Sequence, residues 1–330
     1  MTDSEPGAPA PGRHGPPARP PGPVPAGYVP REWVQQAPPP PAPGPYASVG
    51  APPVSLPPPP PAPPQGDAPF LDTPWVPPQT KRQAWIWLVY AVVGFLVGQI
   101  AALIFGTVAG AIAGKTGAEM RVIETASVPP EWYVVSTLLG LWIGFVGAPW
   151  LASRTQGTRN FVRDLGVRFR LIDLVGIGIG IGGQILVALM YAPFQHDIHD
   201  FNGPSQKLTG ASHGGGFVII AVATVVFAPA MEELFFRGLL LKALVRLFTP
   251  LQAVGGARAA GVVLAVIVDG LLFGLAHGEW VQLAGLAAFG IILAAVSYRT
   301  GRLGMNIVAH GTFNLVAIIA IAAGGTGLIH

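Results

Sequence analysis

The sequence predicts an all-α protein: a multi-spanning transmembrane helical bundle of about seven spans, preceded by a disordered, proline-rich N-terminal tail. Three observations support this fold class. Only 11% of the 330 residues are charged, whereas a soluble globular domain has about 25%. Hydrophobic residues make up 51% of the chain, and the mean hydropathy is +0.53. Most of the 36 prolines precede Arg82, and long apolar stretches follow it.

The first predicted domain, residues 1–80, is a proline-rich cytoplasmic tail with proline runs at 38–41 and 57–61. Such a composition buries too little apolar surface to offset the entropy lost on ordering, which predicts disorder with local polyproline II structure. No apolar stretch follows the start, so a signal peptide is not predicted. One interpretation is a docking tail for a partner domain that binds proline-rich ligands, and the other is a solvated spacer.

The second predicted domain, residues 81–330, consists of membrane spans, because about 20 mostly apolar residues cross a hydrocarbon core of about 30 Å. The fourth span is unusually long and carries Pro229, Glu232, Glu233 and Arg237 in its middle, so it is either one tilted helix or two shorter pieces. The spans lie near residues 84–113, 131–152, 172–194, 217–247, 260–277, 280–298 and 304–325.

The basic residues between spans predict a multi-pass protein of the cell membrane with its N-terminus in the cytoplasm. They also account for the net charge of +3 without a nucleic-acid partner. The chain has no cysteine, which excludes disulfides, thiolate ligands and a cysteine nucleophile. The predicted outside segments hold Lys115, Arg121 and Lys207, whereas the inside segments hold Lys81, Arg82, Arg154, Arg159, Arg163, Arg168, Arg170, Lys242, Arg246, Arg258, Arg299 and Arg302.

Glycines recur through the third span, at positions 176, 178, 180, 182 and 183. Glycine lets helix backbones approach closely in lipid, so this pattern predicts helix packing. A dinucleotide-binding loop would need a preceding strand and a soluble βαβ unit, and neither is predicted.

Two adjacent acids interrupt the fourth span, where charge is costly and usually faces the bundle interior or a water-filled cavity. Arg237 lies one helical turn after Glu233, a spacing that suits an ion pair. Glu232 points about 100° away from Glu233 and is free to face a cavity. A structural ion pair that fixes helix contacts is the alternative interpretation.

Two histidines and an amide interrupt later spans. His277 lies near the end of the fifth span, where a packing or interface role is the alternative to a functional one. His310 and Asn314 share one face of the last span, and both can donate to a developing oxyanion or simply join two helices. The predicted boundaries place His310 closer to the cytoplasmic end than Glu232, so a tilt or a shifted boundary is needed to bring them level.

Asp269 is the fourth interruption. It precedes His277 by eight residues on the same span, about 12 Å of helical rise, which is too far for contact. We expect a basic partner near the cytoplasmic surface.

The order of these motifs resembles the CPBP family of intramembrane proteases, which includes type II CAAX prenyl endopeptidases and bacteriocin-processing Abi proteins. The resemblance covers roughly residues 130–320, with the motif core at 217–325. The three motifs are Glu232-Glu233 with Arg237, Phe273 with His277, and His310 with Asn314.

The resemblance implies an intramembrane endopeptidase that hydrolyses a peptide bond of a membrane-associated or peptide precursor. Glu232 would be the general base that activates water, helped by His277. His310 and Asn314 would stabilise the oxyanion, with Glu233 and Arg237 in supporting roles.

The cofactor is left between two alternatives. A metal-free glutamate mechanism fits the family's chemistry. A divalent metal such as zinc would use Glu232, His277 and His310, although the chain lacks the His-Glu-x-x-His helix typical of zinc proteases.

Two other functions use the same residues. A non-catalytic scaffold or immunity protein would keep the protease fold and regulate a partner. A proton-coupled transporter would use Glu232 and the histidines as a relay, but no inverted repeat joins the two halves of the sequence.

Overall fold

The computed structural model describes Pro78 and residues 80–115, 117–126, 129–194, 215–249 and 255–322. Every regular element in these ranges is helical, which confirms the all-α fold class. The proline-rich tail lies outside the described residues. The helices are α1 (Lys81–Ile112), α2 (Ala118–Thr125), α3 (Glu131–Gln156), α4 (Phe161–Leu165), α5 (Gly176–Tyr191), α6 (Gly215–Phe248), α7 (Gly255–Ala276), α8 (Leu283–Thr300) and α9 (Gly304–Ala322). Short 3₁₀ turns at Leu171–Val175 and Ala192–Phe194 flank α5.

Six of these helical segments are long and apolar enough to cross a membrane, namely α1, α3, α5 with its flanking turns, α6, α7 and α8. They confirm six of the predicted spans and the multi-pass membrane character. The seventh, α9, is a shorter apolar helix whose residues 304–320 rise about 26 Å. This length is slightly below the thickness of an average hydrocarbon core.

The sequence explains where two of these helices begin and end. Thr80 caps α1: its hydroxyl accepts from the Gln83 amide at 3.1 Å, and the Gln83 side chain accepts from the Thr80 amide at 3.0 Å. Gly301 ends α8 with a φ of 68°, a left-handed conformation that glycine adopts without strain. The turn at Gly301 returns the chain directly into α9, which carries part of the site.

Glycine contacts set how closely the helices pack. On α3, a Cβ at Gly144 would lie 2.8 Å from the Cα of Gly98, so the α1–α3 contact requires glycine there. On α5, a Cβ at Gly180 would lie 2.7 Å from the Cβ of Thr312 on α9. The packing predicted for the glycine-rich span is therefore present, and its partner is the helix with His310 and Asn314.

Helix α6 is the core of the bundle. It is one continuous run rather than two pieces, and every residue from Glu233 to Arg246 is buried. Phe235 stacks on Phe145 of α3 with ring centroids 4.4 Å apart. Because protein rather than lipid surrounds this half of α6, it can hold charged side chains that lipid would exclude.

Two buried aspartates organise the connection between α3 and α5. The Asp164 carboxylate accepts from the Ser153 hydroxyl at 2.7 Å and from both the amide and the hydroxyl of Thr158. The Asp173 carboxylate accepts from Arg302 Nε and from the Arg170 amide. Both oxygens of each carboxylate therefore have a donor.

Three basic residues that the sequence interpretation placed at the membrane surface are buried instead. Arg302 pairs with Asp173, and Lys242 Nζ donates to the backbone carbonyl of Asp164 at 2.6 Å. Arg246 is also buried, near the end of α6. These side chains satisfy buried acceptors, so they are structural charges, and the orientation of the chain stays a prediction.

Candidate active site

The site is built on a locally distorted part of α6. The α-helical turn Ala228–Glu233 lies between two π-helical segments, Ala223–Phe227 and Leu234–Leu240. π-helical turns are rare and often occur at functional sites. The first two charged residues of the sequence motif, Glu232 and Glu233, stand at the end of this turn.

Pro229 explains part of the distortion. Proline has no N–H, so the carbonyl four residues earlier in an α-turn, or five earlier in a π-turn, loses its donor. The five-residue spacing leads to Thr224, whose carbonyl accepts a hydrogen bond from Asn314 Nδ2 at 2.9 Å. The sequence of α6 thus creates an acceptor that fixes one of the predicted site residues of α9.

A fully buried ion cluster lies on the inner side of α6. Arg237 Nη1 donates to Glu233 Oε1 at 3.1 Å, so the predicted ion pair is present. Arg237 Nε also lies 3.5 Å from Asp269 Oδ2 on α7, and Nη2 donates to the Gly290 carbonyl on α8 at 2.9 Å. One guanidinium therefore joins three helices.

The partner expected for Asp269 was wrong. Its side chain is fully buried beside Arg237 rather than paired with a basic residue near the cytoplasmic surface. Spacing along α7 correctly excludes contact with His277, but it cannot show which side chain of another helix lies opposite.

Glu233 connects this cluster to α9. Its Oε1 accepts from His310 Nδ1 at 3.0 Å, and its Oε2 accepts from Asn306 Nδ2 at 3.1 Å. Asn306 also donates to the Leu293 carbonyl at 2.7 Å and is fully buried. Sequence reasoning missed Asn306, although it precedes His310 by one helical turn and so extends the same polar face.

Glu232 occupies a different environment from Glu233. Its Oε2 is buried and has no hydrogen-bond partner. The same oxygen lies 3.8 Å from Nε2 of His277 and 3.8 Å from Nε2 of His310. The side chains of His277 and Glu232 are 30% and 16% exposed, so parts of both reach the surface of the bundle.

Hydrogen bonds fix the orientation of both imidazole rings. His277 Nδ1 lies 2.8 Å from the Phe273 carbonyl, which can only accept, so Nδ1 carries a proton. His310 Nδ1 likewise donates to the Glu233 carboxylate. Both rings therefore present Nε2 towards Glu232.

Phe273 holds the polar groups apart at the centre of the site. Its ring makes edge contacts with His277 and His310, at centroid distances of 4.8 and 5.4 Å. The Arg237 guanidinium lies 4.4 Å from the centre of the same ring, within cation–π range. The aromatic and histidine of the second motif thus act together: the backbone carbonyl orients His277, and the ring packs against both histidines.

The structure brings five of the six predicted site residues into one connected group: Glu232, His277, His310, Glu233 and Arg237. The sixth, Asn314, is held by Thr224 on the adjoining turn of α6. The mismatch in depth predicted for His310 does not occur: His310 Nε2 lies 3.8 Å from Glu232 Oε2, although α9 begins at Gly304 as predicted.

The zinc alternative uses a suitable donor set, two imidazoles and a carboxylate. Within the described ranges, however, no group of three histidine, cysteine or acidic side chains has an arrangement that could hold a metal ion. In this arrangement Glu232, His277 and His310 do not form a metal site.

Residues 214–316 match the family model of type II CAAX prenyl endopeptidases described as Rce1-like. This match confirms the family resemblance of the three motifs. It begins at residue 214, whereas the resemblance was predicted to begin near residue 130. It contains all six predicted site residues and also Asp269 and Asn306. No curated protein and no solved structure matches the chain.

Proposed function

We propose that this protein is an intramembrane endopeptidase in which Glu232 activates a water molecule that attacks a peptide bond. The observation that carries the proposal is the convergence at Glu232 Oε2, a buried oxygen without a hydrogen-bond partner beside two imidazole nitrogens. The family match to residues 214–316 independently supports a CAAX-type protease.

The convergence suits a water molecule because a water has two hydrogens to donate. Oε2 of Glu232 accepts one, and the unprotonated Nε2 of neutral His277 accepts the other. Two acceptors 3.8 Å apart can both reach one water at ordinary hydrogen-bond distances. In this arrangement the lone pairs of the water oxygen are directed away from both acceptors, towards an incoming carbonyl carbon.

In the first step the water oxygen bonds to the carbonyl carbon, and Glu232 takes one water proton. The carbonyl oxygen then carries the negative charge. His310, as an imidazolium whose Nδ1 proton is held by Glu233, donates from Nε2 to this oxyanion. Asn314 donates one amide hydrogen to Thr224, and its second hydrogen is available for the same oxyanion.

In the second step the carbonyl re-forms and the carbon–nitrogen bond breaks. Glu232 gives its proton to the leaving amine, so it ends the cycle ionised. Arg237 and Asp269 do not touch the reacting atoms. Arg237 holds Glu233, which in turn holds His310, and Asp269 lies beside Arg237.

The test compares cleavage by the wild-type protein with cleavage by Glu232→Gln, a change that keeps the shape and removes the base. Newly formed peptide N-termini are identified in membranes that contain either protein. We expect products in the wild-type sample that decrease about 10²- to 10⁴-fold in the variant, the usual contribution of a general base.

Glu124→Gln is the matched control, since it makes the same chemical change at an exposed position outside the site. It should cleave as the wild type does, and cleavage should persist in the presence of a chelator. Products that are equally abundant with wild type and Glu232→Gln would exclude the proposed mechanism and favour a scaffold role.

A further inference from the structure

One end of the bundle, which we call the basic end, holds most of the exposed basic residues of the described chain. The start of α1 and the end of α3 meet there, since Gln83 Nε2 donates to the Gln156 carbonyl at 3.2 Å. The α8–α9 turn joins them, because the Leu303 amide donates to the Gly166 carbonyl at 2.9 Å. Exposed basic side chains at this end are Lys81, Arg82, Arg154, Arg159, Arg163, Arg168, Arg170, Arg258 and Arg299.

The connecting segment, residues 159–173, forms the outer surface of this end between α3 and α5. It interleaves exposed arginines with exposed apolar side chains: Phe169, 61% exposed, stands between Arg168 and Arg170. Leu171, which follows, is 84% exposed. A surface with this alternation can place apolar groups in lipid and cations at headgroup depth.

The acids of the connecting segment do not oppose its cations. Asp164 and Asp173 are both buried, and both oxygens of each carboxylate accept from internal donors. Every residue of the segment is described, and none of its exposed side chains is acidic. Its surface charge is therefore entirely positive.

The segment is also held in a fixed shape. The Arg168 carbonyl accepts from the Gly304 amide at 3.2 Å, and the Asp164 carbonyl accepts from Lys242 Nζ. Leu165 is fully buried between these anchors. Because the backbone is already held, only the arginine side chains lose conformational freedom on binding an anion.

We propose that the connecting segment is a binding surface for anionic phospholipid headgroups, with Arg163 and Arg168 contacting the phosphates. Continuity with α5 identifies the partner as a lipid rather than a soluble anion. Directly after the segment, α5 exposes Ile177, Ile181 and Ile185 along its outer side. An anion bound by the arginines thus lies at the edge of the surface that acyl chains cover.

The test measures binding of phosphatidylglycerol by native mass spectrometry of the full chain released from nanodiscs. The nanodiscs contain phosphatidylglycerol and phosphatidylcholine in equal amounts. We expect the wild type to retain phosphatidylglycerol preferentially. Arg163→Gln with Arg168→Gln should weaken that binding about five-fold for each arginine, because a basic side chain near an anionic surface contributes about 1 kcal/mol.

The matched control is Lys115→Gln with Arg121→Gln, which removes the same charge beyond the opposite end of α1, where Lys115 follows the helix and Arg121 lies on α2. It should bind as the wild type does. Arg163→Lys with Arg168→Lys keeps the charge and should retain most of the binding. The unfolding midpoint of each variant in phosphatidylcholine alone verifies its fold, and the two single glutamine variants replace any double variant that does not fold.

Equal retention of the two lipids by the wild type would overturn the proposal, as would unchanged binding in the glutamine double variant. Competition by soluble polyglutamate as strong as that by phosphatidylglycerol would also overturn it, since the surface would then fit an acidic polypeptide. Inorganic phosphate is expected not to compete.

Discussion

Buried carboxylates occur in two regions of the protein, and the two regions differ in how many hydrogen bonds these carboxylates accept. At the basic end, Asp164 and Asp173 accept hydrogen bonds from several donors each. In the interior of the bundle, Glu232 Oε2 and both oxygens of Asp269 accept none. Burial without hydrogen bonds costs free energy, so the interior site is the less stable arrangement.

Hydrogen bonding separates the buried charges that hold the fold from those that are available for chemistry. Both oxygens of Asp164 and of Asp173 already accept hydrogen bonds from the protein. An unsaturated glutamate beside two imidazoles can receive a proton or a water. The same distinction separates the neighbours Glu232 and Glu233, since Glu233 is occupied by Arg237, His310 and Asn306.

Removing the cation of the interior site should change the free energy of unfolding most. Arg237→Met leaves Glu233 and Asp269 buried without their shared partner. We expect a loss of about 5 kcal/mol in the free energy of unfolding, because breaking a buried pair strands a charge. Denaturant titration in mixed micelles measures it. Arg299→Met, at an exposed position, should stay within about 0.5 kcal/mol of wild type. A similar loss in both variants would contradict the role of Arg237 as the cation that stabilises the buried acids.

The second prediction compares an aspartate of each region. Asp173→Asn removes the charge that binds Arg302 and should cost about 3 kcal/mol in the free energy of unfolding. Asp269→Asn should cost about 1 kcal/mol or less, since its oxygens accept no hydrogen bond and Arg237 keeps Glu233. Unfolding of both variants under one set of conditions measures the difference. A larger loss for Asp269→Asn would show that the interior acid is structural.

The smallest loss is expected from a variant that changes the packing of α5 without changing any charge. Gly180→Ala places a methyl group against α9 and should cost about 2 kcal/mol, because the backbones must separate. Its neighbour Gly178 faces open space, so Gly178→Ala should be neutral. Unfolding midpoints of the two alanine variants measure the contrast. Equal midpoints would mean that the α5–α9 contact tolerates a side chain.

Much of the site could be predicted because it depends on distances within one helix. Helical periodicity places Arg237 beside Glu233 and turns Glu232 away from them, and the structure contains both features. Apolar length likewise locates six spans.

Contacts between helices could not be predicted in this way. The pairing of Asp269 with Arg237, and of Asn306 with Glu233, depends on the depth and rotation of whole helices. The π-helical segments of α6 add to the difficulty, since each one shifts the direction of every later side chain relative to a regular helix. Asn306 lies one helical turn before His310, so the sequence places it on the same face of α9. No spacing within one helix identifies the partner of Asp269.

The enclosure of α6 separates the acids and histidines from direct effects of bilayer thickness. A change in bilayer thickness acts on lipid-facing helices, which tilt or deform the bilayer at a cost of fractions of a kcal/mol per Å of mismatch. Helix α1 is mostly exposed and receives this stress directly. From Glu233 to Arg246, α6 has no side that faces lipid. Hydrophobic mismatch therefore reaches the acids and histidines only through neighbouring helices.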